Sequence, residues 1–255
     1  MLEIILIGMF LFLILTFFYK QAICEFRINQ VEWGKRDTLQ DAIQERVPTV
    51  LRGIPQAKFW TQEDVMMRAS YGTVSVFDNQ GLPEWLTSTT SDSECPWTTE
   101  HASSIASVSG LITWAERWIN ENVLSPIESY WYYPKYLCFA GSKGLHKTVA
   151  PYTLLTPTEG EIIVNIMPEN VAHALPVVWK GTFPSELTQY DTPFINDLKF
   201  MDIIIRPGTA LIMPAHWFIS WKSNKDNIPL VCSIEYHSPI SRFALAMGSD
   251  SIAKT

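Results

Sequence analysis

From residue 4 to residue 19 the chain reads IILIGMFLFLILTFFY, sixteen positions with no charge and two hydroxyls, those of Thr16 and Tyr19. At ~1.5 Å per residue such a helix reaches roughly 24 Å, short of a ~30 Å hydrocarbon core. Leu2, Tyr19 and the Lys20 stem extend it at the ends. The pattern predicts a transmembrane anchor within residues 1–24 and one further domain over 25–255. A cleaved signal peptide is the rival reading. Ala22 and Cys24 give it a small-x-small pattern, whereas Glu3 as the lone charged side chain ahead of the apolar run speaks against it. Lys20, Arg27, Lys35 and Arg36 all follow the run, so the positive-inside tendency puts the C-terminal domain on the cytosolic side.

Beyond the anchor the periodicity changes twice. DTLQDAIQERV (37–47) carries Leu39, Ala42, Ile43 and Val47 at helical spacing, with Asp37 or Thr38 as cap, and stops before Pro48. PTVLRGI (48–54) reads as extended, and YGTVSVFD (71–78) alternates like a half-buried strand that turns at DNQG. Residues 82–99 are polar and broken by prolines, which predicts a surface excursion. Residues 101–122 place Ile105, Val108, Leu111, Ile112, Ala115, Trp118 and Ile119 on one helical face. From Tyr136 onward the pattern becomes eight short β-type runs: YLCFAG, YTLLT, EIIVNIM, PVVWK, MDIIIRPG, TALIMP, HWFISW and PLVCSIEYH. No helical pattern separates them, which excludes a parallel α/β sheet and predicts a mainly β fold, a jelly roll or double-stranded β-helix with accessory N-terminal helices.

Composition adds two exclusions. The formal net charge of -7, with no basic run, argues against nucleic acid as a partner. Cys24, Cys95, Cys138 and Cys232 lack any CxxC spacing, so free thiols are expected rather than disulfides or a zinc site. GxSxG, Walker and HExxH motifs are absent, and Asp78, Glu84, Asp92 and Glu94 read as solvated loop carboxylates. The aromatic segment YWYYPKY (130–136) reads as core rather than as a recognition surface.

VPTVLRGIPQAKFW (47–60) and DIIIRPGTALIMPAHWFISW (202–221) resemble the opening and closing segments of the cupin-like JmjC domains, a family that includes iron- and 2-oxoglutarate-dependent hydroxylases. The likeness extends over roughly residues 30–245. It implies a facial triad, two histidines and one carboxylate, that leaves positions on iron open for co-substrate and oxygen. LHKT (145–148) occupies the first segment of that triad, with His146 at the histidine position and Thr148 where a carboxylate belongs. Pro214 and Trp217 match the closing turn, but the distant histidine position holds Ile219. In some members a lysine fifteen residues after the first histidine binds 2-oxoglutarate; the matching residue is Glu161, with Pro168 supporting the register.

The resemblance thus implies a family scaffold with one of three ligands, no catalytic residues, no metal and no cofactor. The expected role is structural or interactive, with a protein partner and a membrane held through residues 4–19. Similar short cupin-like proteins occur in large DNA viruses, so a membrane-attached component of a virion or other assembly is one setting. An oxygenase with a rearranged site drawn from His146, His216 and Glu161 is the alternative, and a metal-free cupin that binds a small molecule near His146 is a third; His101, His173 and His237 lie outside the expected ligand positions.

Overall fold

The structure is a computed structural model that describes residues 2–20, 26–77, 80–90, 93–176, 183–225 and 227–247. Ala22, Cys24, Asp78, Asp92 and the apolar run at 177–180 lie outside the described residues. The chain begins with α1 (Leu2–Lys20), β1 (Asn29–Glu32), α2 (Arg36–Gln44) and β2 (Thr49–Arg52). Next come α3 (Gln62–Met67), α4 (Ala69–Gly72), β3 (Ser75–Phe77), β4 (Gln80–Gly81) and α5 (Leu82–Ser88). The helical segment α6 (Thr99–Ser109), α7 (Leu111–Trp114) and α8 (Asn120–Val123) follows, with a π-helical turn at Ala115–Ile119. The remaining strands are β5 (Tyr133–Ala140), β6 (Lys143–Lys147), β7 (Tyr152–Glu159), β8 (Ile162–Pro168), β9 (Met201–Ile205), β10 (Thr209–Pro214), β11 (Trp217–Ser223) and β12 (Leu230–His237), closed by α9 (Pro239–Met247).

Two sheets carry the core. One has the order β1-β2-β10-β7-β12-β5 and the other β6-β11-β8-β9. From β5 to β12 the chain passes back and forth between them, and every pairing there is antiparallel. Only β1 and β2 run parallel among the described pairs. Both inner faces contribute to one core, with Leu51, Phe139, Leu154, Ile166, Ile219, Trp221 and Ile234 in a single cluster. Bulky indoles fit because their N–H groups find backbone carbonyls: Trp60 donates to Phe139 O at 3.2 Å, Trp97 to Cys138 O at 3.1 Å and Trp221 to Gly141 O at 3.2 Å.

The expected class, mainly β with a membrane helix, is corrected: the fold is mixed α/β, two sheets together with nine α-helices among the described residues. Part of the helical share comes from segments whose composition hid them, α3, α4, α5 and α9. Residues 82–99 are not a surface excursion throughout. Leu82, Trp85 and Leu86 stand at i, i+3 and i+4, bury together on α5, and Pro83 sits harmlessly in its first turn. Trp97 is buried as well. The expected helix over 101–122 is instead broken at Gly110, whose φ of 98° only glycine adopts readily. Thr98 caps α6 by accepting from His101 N, and Ala102, Ile105 and Ala106 face β5. The strand expected over 71–78 shrinks to β3, because Ala69–Gly72 is helical.

The membrane assignment is also corrected. Among the described residues no helix is long and apolar enough to cross a membrane. α1 has 19 residues, about 28 Å at ~1.5 Å per residue, and one side of it is committed to the domain. The Phe12 ring packs edge-on against Phe243 of α9 at 5.1 Å, Thr16 is buried, and Tyr19 Oη donates to Val149 O at 2.6 Å. The inference of a cytosolic C-terminal domain rested on that span and falls with it.

The fold also brings together what the sequence scatters. Cys138 and Cys232 are register partners on β5 and β12, their thiol sulfurs 3.8 Å apart in the core.

Candidate functional site

The segment that positions the site starts at a tight turn between β5 and β6. Gly141 has a φ of 83°, and a Cβ there would lie 2.6 Å from Ser93 O, so only glycine lets the chain reverse this close to the 93–95 segment. The turn delivers Lys143 and His146, both on β6. On the adjacent strand, Ile219 is the register partner of His146, and on its other side Ile219 pairs with Ile166 of β8. The position that the resemblance assigns to a distant ligand lies beside His146 and carries a core side chain that is 1% exposed.

Thr148, the third position, is tied to the backbone. Its hydroxyl lies 2.7 Å from Pro214 O and 3.0 Å from Trp217 O, sharing one proton between them, and accepts from Trp217 N at 3.1 Å. Thr148 N also donates to Trp217 O, and His216 N to Thr148 O. Its role is to clamp the turn between β10 and β11.

Around these residues lies a cavity of about 190 Å³. His146 Nδ1 faces Gly144 O at 3.0 Å, so Nδ1 carries the proton of the neutral ring. Burial pushes its pKa down to about 3, with the nearby Lys143 charge acting the same way. Burial likewise holds the Lys143 ammonium below its ordinary value, against the opposing pull of Glu235. Lys143 Nζ sits 3.9 Å from the Phe139 ring centroid and 5.5 Å from that of Trp221. Opposite, on β12, Glu235 Oε2 lies 3.0 Å from His237 Nε2. Burial raises the Glu235 carboxyl, but its bond to His237 and the surrounding positive charges more than offset this, leaving it below the ordinary carboxylate value. Among the described residues His237 Nδ1 is buried without a partner.

The residues of the alternative site do not converge. Glu161 precedes β8, five residues from the Ile166 that flanks Ile219, roughly 16 Å at ~3.3 Å per residue. Its carboxylate is held by Asn224, by Arg206 at 2.5 Å and by Lys225 at 3.5 Å. His216 lies on the β10–β11 turn with a φ of 68°, its Nε2 donating to Tyr19 O at 2.7 Å and its Nδ1 3.4 Å from Glu169. His173 is exposed, with Nδ1 2.9 Å from Asn170 O, and His101 sits in the first turn of α6. Among the described residues no three His, Cys, Asp or Glu side chains form a metal-binding group. The donor set at the positions that the resemblance assigns, one imidazole beside a sec-butyl side chain and an occupied hydroxyl, does not fit iron with 2-oxoglutarate.

Lys143, Glu235 and His237 were not singled out from the sequence as functional. One signal pointed to the last two: in LVCSIEYH the polar residues Ser233, Glu235 and His237 alternate along a buried strand, so all three share a face. All three line the cavity. The aromatic segment at 130–136 also departs from its expected core placement. Tyr130 and Trp131 are 84% and 62% exposed, and only Tyr132 and Tyr136 turn inward, against Tyr152 and Asn120.

No protein-family model matches the sequence, and no curated protein does. Among solved structures the chain has a distant match to the Drosophila melanogaster CENP-C cupin domain, at 13% identity and a TM-score of 0.25, covering 40% of this chain and 59% of that one. The matched region thus spans less than two thirds of that domain's length.

Proposed function

We propose that the protein is a JmjC-related, cupin-like interaction module and not an oxygenase. The observation that carries the reading is Ile219 standing in register beside His146, with the Thr148 hydroxyl spent on the turn. A facial triad needs three donors around one point, and two of the three positions serve packing and backbone geometry instead. Support for an interaction role comes from the surface: Ile127, Tyr130, Trp131 and Tyr133 are exposed large side chains close together in the chain, and the Arg242 guanidinium lies 5.3 Å from the Tyr133 ring. Aromatic side chains with a neighbouring arginine are the composition that protein interfaces favour. A protein partner is the natural occupant.

The test is turnover of 2-oxoglutarate by the full chain with Fe(II) and oxygen. No succinate above a heat-denatured control is expected; succinate formation that His146→Ala abolishes would overturn the proposal.

One observation favours a second reading, a metal-free small-ligand pocket. The Lys143 ammonium has three donors and, among the described residues, no hydrogen-bond acceptor, while His237 Nδ1 is also unmet in the same cavity. A small anion that raises the melting temperature of the protein, and ceases to do so in Lys143→Met, would decide for this reading.

A further inference from the structure

A larger cavity, about 540 Å³, lies between α1 and the sheets. Its size is that of small-molecule sites, ~300–1,000 Å³. The walls are mainly apolar, with Phe12 and Leu15 from α1, Trp131 from the aromatic segment and Ile240 from α9. The polar groups that reach it are mostly committed. Glu128 accepts from Ser125 N at 2.9 Å and from Tyr152 Oη at 3.3 Å, and Tyr19 Oη donates to Val149 O.

Arg46 is the exception. It is exposed at the rim of the same cavity, and among the described residues its guanidinium makes no hydrogen bond or ion pair. It lies near enough to the Tyr19 and Tyr132 hydroxyls for its charge to oppose the rise in pKa that burial causes in both. Its backbone is unusual as well. α2 ends there in a left-handed conformation, φ 55°, at the position where helices ordinarily place glycine or asparagine. Among the described residues three non-glycine positions have a positive φ, Arg46, Trp60 and His216, and two of them line this cavity. Unfavourable backbone conformations gather where a site needs a side chain in a fixed place.

We propose that this cavity binds a long-chain carboxylic acid, its alkyl tail among Phe12, Leu15, Trp131 and Ile240 and its carboxylate on the Arg46 guanidinium. An apolar wall selects the tail, and a single unpaired guanidinium at the edge of that wall selects the head. The site is separate from the His146 cavity.

The test uses the full chain stripped of lipid and titrated calorimetrically with hexadecanoic acid, hexadecan-1-ol, hexanoic acid or phosphatidylglycerol vesicles. Hexadecanoic acid is expected to bind one per chain, with the alcohol and the short acid each at least about tenfold weaker. Arg46→Asn, which keeps a residue tolerant of the left-handed backbone, should weaken the acid about tenfold and leave the alcohol unchanged. Ile240→Trp should fill the cavity and abolish binding of both without lowering the melting temperature. Equal binding of acid and alcohol overturns the proposal. So does full affinity in Arg46→Asn, binding to the vesicles alone, or one ligand per two chains, which would make the face a contact between copies.

Discussion

The two cavities differ in every physical respect that matters. The inner one, about 190 Å³, is walled by two sheets and holds a neutral histidine, a desolvated ammonium and a Glu–His pair. The outer one, about 540 Å³, is apolar and borders on a helix that meets the domain along one side. The inner cavity is lined by His146, Thr148 and Ile219, and the last two serve turn geometry and packing. A pair such as Pro214 and Trp217 therefore says little about chemistry by itself; the side chains one or two positions away decide what a site can do.

Four measurements break or sharpen this contrast. The largest effect is expected from Ile219→Asp, which places an unpaired carboxylate in the core. A loss of about 3–5 kcal/mol in urea denaturation is expected, against little change for Ile240→Trp in the outer cavity. A stable Ile219→Asp protein would mean that the inner position is not the packed core described here.

Acid should act through the inner site too. His146 titrates at about 3 in the folded chain against an ordinary 6.5, so the neutral ring is the form that the fold favours. Its contribution to stability is complete above 6.5 and is lost as pH falls from there toward about 3. His146→Gln should flatten the stability curve across that window; an unchanged slope would place the titration elsewhere.

Thr148→Val keeps the shape and deletes the hydroxyl that bridges Pro214 and Trp217. A cost of about 1–3 kcal/mol is expected, because Trp217 N–H loses its partner in a buried place. Less than that would show that the clamp is dispensable.

Glu161→Gln should be the smallest. Asn224 chiefly, then Arg206 and Lys225, holds the Glu161 carboxyl below its ordinary value of 4.5, with burial opposing them. The stabilisation is therefore present above 4.5 and disappears as pH falls through the lowered folded value. Because Arg206 and Lys225 are largely exposed, the effect should fade in salt.

The strands from β5 to β12 other than β6 were legible because alternation and short β-branched runs survive burial; β6, KGLHK, has no such run and was not among the expected strands. The helices were harder. α5 hides behind prolines and hydroxyl residues, although Leu82, Trp85 and Leu86 carry the helical spacing, and α9 follows a strand with no polar break longer than Ser238. The segment 4–19 has the composition of a membrane span, but composition does not report that Phe12 and Tyr19 have partners in the domain and that Thr16, on the same face, is buried. The outer cavity was not readable at all. Arg46, Trp131, His216 and Ile240 come from four segments that only the three-dimensional fold joins. Likewise Cys138 and Cys232 look unrelated until β5 and β12 pair.

The most direct test of the central claim is an anaerobic titration of the full chain with Fe(II), followed by metal analysis after gel filtration, in the natural protein and in His146→Ala. The account predicts substoichiometric iron, the same in both. One iron per natural chain, lost in His146→Ala, would contradict it.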